Sequence, residues 1–104
     1  AALTDLRAAN KAVKGEDRLI GERLCKVLAQ LADKAILNAN VKDAQDMYEE
    51  GAAVARAHKV LAVEFHSRMA LGSIYRRGGL PTQAAAMFAR AAETSGAIGG
   101  SAEA

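Results

Sequence analysis

The sequence predicts an all-α protein, a stack of antiparallel helix pairs with about five helices in total. Three observations carry this. Alanine fills 25 of the 104 positions, a composition that favours helices packed at close range. Apolar residues recur at three- and four-residue steps along most of the chain, and β-branched residues nowhere alternate with polar ones over a useful length. Gly, Asn and Pro punctuate these stretches at short intervals, which joins the helices by tight turns.

The first helix is predicted from about Leu3 to Lys14, with Leu3, Leu6 and Val13 near one face and Ala9 and Ala12 beside them. Gly15 ends it, because glycine takes the left-handed cap conformation without strain. The second starts near Glu16 and Asp17, acids suited to the positive end of a helix dipole. Ile20, Leu24, Val27, Leu28, Leu31 and Ala35 then form the strongest amphipathic stripe in the chain. Asn38-Ala39-Asn40 reads as a turn, since Asn tolerates left-handed geometry.

A third helix is expected over about Val41 to Lys59, with Ala44, Met47, Tyr48, Gly51, Val54 and Ala55 facing inward. A fourth, about Ala62 to Arg77, carries Phe65, Met69, Gly72, Ile74 and Tyr75. Gly78-Gly79 ends it, and Pro81 opens the fifth where its missing N–H costs nothing. That helix holds Ala84, Ala85, Phe88, Ala91 and Ala92. After Ser95 the composition becomes Gly/Ala-rich, so residues 96–104 are expected to form a flexible tail.

A repeat underlies the spacing. Leu71-Gly72, Tyr75 and Gly79, followed by Ala84, Phe88 and Ala91, match Leu31-Ala32, Ala35 and Ala39, followed by Ala44, Tyr48 and Gly51. Each pair of positions is 40 residues apart. Ala2, Leu6 and Ala9 give a weaker half-copy of the second-helix pattern. Small residues (Ala32, Gly72, Ala44, Ala84, Gly51, Ala91) allow helices to approach, and large ones (Leu31, Leu71, Tyr48, Tyr75, Phe88) fill the spaces between. Helix pairs stacked in this way bury a continuous core that no single pair could bury.

This spacing resembles the tetratricopeptide repeat (TPR) family, most closely over residues 65–96 and more loosely over 25–58. The 40-residue period is similar to the longer-helix variety of that repeat. The resemblance implies a right-handed α-solenoid: a half-repeat at 1–15, repeats at 16–60 and 61–95, and one TPR-like domain over 1–95. It also implies a concave groove lined by the first helix of each pair. The outward positions of those helices are Lys26, Ala29, Asp33 and Ile36, and His66, Met69, Ser73, Arg76 and Arg77. With its basic members, such a groove suits an acidic or carboxylate-bearing peptide. The plainer alternative is a pair of solvated helix faces, with Arg76 and Arg77 complementing a helix C-terminus.

Other chemistry is weakly represented. His58 and His66 lie eight residues apart across an expected helix break, poor spacing for zinc. Cys25 reads as a small buried hydrophobe. Asp43, Asp46, Glu49 and Glu50 read as a polar helix face rather than paired catalytic acids. Gly78-Gly79 lacks the strand and the Lys of a phosphate loop. No cofactor fingerprint or catalytic grouping occurs, so no enzyme, metal or cofactor is expected.

Composition narrows the partners. The net charge is +2, with −1 over residues 1–52 and +3 over 53–104. No dense basic stripe with stacking aromatics accompanies it, so nucleic acid is not expected as a partner. One cysteine excludes an internal disulfide, and no apolar run approaches the ~18 residues of a membrane span. With no targeting segment at its start, the chain is expected to be cytoplasmic, although a first residue other than Met indicates processing or a piece of a longer protein. The leading expectation is a non-enzymatic scaffold or adaptor that binds a protein segment in its groove. The alternative is an assembly domain, self-associating through Leu3, Leu6 and Val13, or a regulatory fragment of a larger protein.

Overall fold

The computed structural model describes residues 2–12 and 18–103, and five helices cover nearly all of them. They are α1 (Ala2–Ala12), α2 (Arg18–Leu37), α3 (Val41–Ala57), α4 (Leu61–Arg77) and α5 (Pro81–Glu103). No strand occurs among the described residues. The expected stop at Gly15, the start at Glu16 and Asp17, and Val13 lie outside them.

Three turns share one construction. Ala39, Lys59 and Gly79 take positive φ angles of 61°, 57° and 76°, the left-handed residue that closes a helix C-terminus. One residue later, the N–H of Asn40 donates to Ala35 O at 2.8 Å, that of Val60 to Ala55 O at 2.8 Å, and that of Leu80 to Tyr75 O at 2.9 Å. The same three residues then open the next helix: the carbonyls of Asn40, Val60 and Leu80 accept from the N–H groups of Ala44, Glu64 and Ala84. No residue is spent on a linker, and the turns recur every 20 residues. Half of the 40-residue repeat is therefore one helix plus one turn. In the first turn Ala39, not an Asn, takes the left-handed conformation.

Each helix packs on the next in the chain, and α2 also touches α4. The molecule measures 40 × 37 × 20 Å, so its short dimension is about two helix diameters. Small residues set the spacing. Ala32, Ala44, Ala55 and Ala91 are wholly buried, and Ala32, Ala35, Ala44, Tyr48 and Leu71 form one core cluster. Leu24, Leu28 and Leu71 are the largest fully buried side chains, each worth roughly 1.5–3 kcal/mol in burial. Of the residues that mark the repeat, Gly51, Gly72 and Ala84 are also buried, and Tyr75 and Phe88 are half-buried. Leu31 departs from its expected filling role: it is exposed, and its neighbour Ala32 makes the contact.

Two further differences concern the ends of the chain. α5 continues through Gly96 to Glu103, whereas composition places its end near Ser95. The glycines cost only about 1 kcal/mol each within a helix and no proline follows to stop it. At the other end, α1 packs on α2, and the Arg7 Nε donates to Glu50 Oε2 of α3 at 2.9 Å. Leu3 and Leu6, expected as an open face, are half-buried. Among the described residues no helix is long and apolar enough to cross a membrane.

Candidate functional site

The groove positions expected from the sequence fall on α2 and α4, which touch, but they do not all act together. Asp33 and His66 meet: His66 Nε2 lies 2.8 Å from Asp33 Oδ1. Since a carboxylate only accepts, the imidazole is the donor. The Tyr48 hydroxyl donates to the same Oδ1, and the Tyr48 and His66 rings stand edge to face with centroids 6.0 Å apart. One carboxylate thus links α2, α3 and α4. Burial, reinforced by Asp33, pushes the Tyr48 phenol well above its ordinary value. Spacing assigned Tyr48 only a packing role, and its hydroxyl has a polar one as well.

Beyond this cluster lies a cavity of about 550 Å³. Ile36 at the end of α2, Val41 at the start of α3, Ala70 and Ile74 on α4, and Leu80 in the following turn supply its apolar lining. Ser73 and Arg77 border it, as do Gln45, Tyr48 and Tyr75. Ile36, Val41 and Leu80 are all exposed, as is Met69 on the same helix as Ser73. Leu37 beside them is 85% exposed, the most open large apolar side chain on the molecule's described surface.

The remaining expected groove residues point elsewhere. Lys26 is paired along its own helix with Glu22 at 2.9 Å and borders neither large cavity. Arg76 lies over the Phe88 ring, 5.8 Å from its centroid, because one residue along a helix turns the side chain by about 100°. It therefore faces α5 while Arg77 faces the cavity. Ala29 is buried. His58, far from His66 in role, is buried against Gly21. Cys25 is fully buried, and that burial raises its thiol above the ordinary range.

A second cavity of about 620 Å³ lies between α3, α4 and α5. On α4 it is bordered by Arg68 and Leu71, which occupy a different face of the helix from Ala70, Ser73 and Arg77, and by Tyr75, which borders both cavities. The Tyr75 hydroxyl donates to Glu49 Oε1 at 2.7 Å. Burial, then this bond, pushes its pKa up to about 12. This cavity is not visible in the sequence, because its walls come from three helices and its charged residues look like solvated side chains on each helix taken alone.

Compared with known proteins, the chain matches no family model, no curated protein and no solved structure.

Proposed function

We propose that this chain is a non-enzymatic protein-interaction module, a TPR-like α-solenoid that binds a segment of another protein at the α2–α4 side. The observation that carries the reading is the 550 Å³ apolar cavity, flanked by exposed Ile36, Val41 and Leu80 and bordered by the cation of Arg77. An apolar pocket with a few placed polar groups suits a side-chain anchor, and exposed apolar surface around it suits a macromolecule more than a metabolite. The partner segment places an apolar side chain in the cavity and an acidic group on Arg77. The Asp33–His66 pair supports binding more than catalysis: Ser73, the hydroxyl on the same helix face, stands two turns or about 10 Å from His66.

Selection of a displayed peptide library tests this. Enriched peptides are expected to pair an apolar residue with Asp or Glu. By fluorescence anisotropy they should bind the Val41→Asp and Arg77→Glu proteins at least about tenfold more weakly, with helicity unchanged. Equal binding to both variants overturns the reading. The exposure of Leu37 favours a second reading, self-association through the same edge. Sedimentation that shows a concentration-dependent mass, abolished by Leu37→Asp, supports it.

A further inference from the structure

At one place in the core, the 40-residue register exchanges apolar side chains for charged ones. Leu24 and Leu28 on α2 are buried, and their counterparts on α4 are Glu64 and Arg68, which are buried too. Arg68 Nε lies 2.9 Å from Glu64 Oε2, with side-chain exposures of 6% and 11%. Packing alone does not account for this exchange. Taking two charges out of water costs more than a leucine pair would, and apolar replacement of such pairs is often neutral or stabilising.

The surroundings of Arg68 supply the missing reason. Its Nε engages Glu64, and no other hydrogen bond of its side chain to a described residue accompanies this one. The side chain lines both the 620 Å³ cavity and a neighbouring one of about 210 Å³. Arg56 from α3 and Arg90 from α5 line the same two cavities, and neither makes an ion pair among the described residues. Glu49 borders only the larger cavity, where Tyr75 and Gln45 donate to it. Glu64 and Glu93 border only the smaller one. Three arginines therefore line both cavities, with Glu49 on the larger one and Glu64 and Glu93 on the smaller one.

We infer that Arg56, Arg68 and Arg90 form a binding site for the phosphate group of a small organic phosphate. Arg56 and Arg90 bring two charges with no ion-pair partner among the described residues, and Arg68 brings the Nη donors of a guanidinium already held by Glu64. A phosphate monoester brings close to two negative charges and three acceptor oxygens, whereas a carboxylate brings one charge and two oxygens. Leu71, Met87 and Ala52 line the larger cavity beside the arginines and take the apolar body of the ligand. This site is separate from the proposed peptide groove, on another face of α4.

Phenyl phosphate, inorganic phosphate and benzoate are the probes, titrated by calorimetry and by NMR of the arginine Nε–H signals. Phenyl phosphate is expected to bind saturably below about 1 mM, inorganic phosphate about tenfold more weakly, and benzoate not measurably. Arg56→Gln with Arg90→Gln changes only exposed side chains and is expected to weaken phenyl phosphate at least about tenfold. Glu64→Leu with Arg68→Leu, which copies the first repeat, is expected to raise the melting temperature and lose the binding. No saturable binding of phenyl phosphate to the wild type up to about 10 mM overturns the site. So does unchanged affinity in the Arg56→Gln, Arg90→Gln protein, or benzoate that binds as well as phenyl phosphate. Equal affinity for inorganic and phenyl phosphate overturns the apolar half of the site.

Discussion

Gly21 on α2 lies directly against the ring of His58: a Cβ at position 21 would collide with His58 Cδ2 and Nε2. Gly72 stands in the same relation to Phe88, at 2.5 Å from its Cε1. Gly51 does not. Its Cβ would meet Leu28 Cβ at 3.4 Å, an ordinary contact. The three glycines are all buried in helices, yet alanine should act on them in opposite directions. Overpacking costs about 1–3 kcal/mol, against a helix-propensity gain of about 1 kcal/mol. Gly21→Ala and Gly72→Ala are expected to lower the melting temperature. Gly51→Ala is expected to raise it by about 4–8 °C per kcal/mol gained. Thermal denaturation followed by circular dichroism decides, and a stabilised Gly21→Ala protein would contradict the close approach.

The turns yield a second expectation. Ala39 and Lys59 hold a left-handed conformation that Gly79 adopts without strain, and that conformation costs an L-residue about 1–2 kcal/mol. Glycine there also enlarges the entropy of the unfolded chain, by about 0.4–1 kcal/mol. The balance favours Ala39→Gly and Lys59→Gly by up to about 1 kcal/mol, and Gly79→Ala should be destabilising by a similar amount. Urea midpoints for the three variants check this, and a lower midpoint for both glycine variants would refute it.

These features differ in how much of them the sequence shows. The 40-residue register is visible because residue size carries it: Ala44 and Ala84, or Leu31 and Leu71, look alike in one dimension. The 20-residue period of the turns is hidden because Ala39, Lys59 and Gly79 share a backbone conformation and no side-chain chemistry. Helical phase puts both Asp33 and His66 on the groove side, but their bond depends on how α2 and α4 are aligned along their lengths. Arg76 and Arg77 look equivalent in sequence, and a single residue's rotation sends them to different neighbours. Glu64 and Arg68, at i and i+4, form a pair whose burial no single helix reveals. Only the approach of neighbouring helices buries them.

Tyr48 and Tyr75 make the fold sensitive to alkali. Both phenols hold their protons more tightly in the folded chain than at the ordinary value of 10, chiefly through burial and then through Asp33 and Glu49. Their contribution to stability is complete below pH 10. It declines as the pH rises through 10 toward about 12, where Tyr75 titrates in the fold. Unfolding temperatures from about pH 9 to about pH 12 should fall less steeply for Tyr48→Phe and Tyr75→Phe than for the wild type. Parallel curves for wild type and variants would show that neither phenol is held in this way.

Arg76 and Arg77 should separate stability from binding. Arg76 over Phe88 is an exposed cation–π contact, worth about 0.5–1 kcal/mol, and Arg77 borders the apolar cavity. Arg76→Gln is expected to lower the unfolding free energy by that amount and leave affinity for a selected acidic peptide within about twofold. Arg77→Gln is expected to do the reverse, with stability within about 0.5 kcal/mol of wild type and affinity weakened about five- to tenfold. Since loss of a charge at the edge of a docking surface acts mainly on association, the change should appear in the on-rate and shrink at high salt. Stopped-flow binding at two ionic strengths, beside denaturant titration of each protein, measures both quantities. An Arg76→Gln protein that binds as weakly as Arg77→Gln would place the partner across both arginines and move the docking site toward α5.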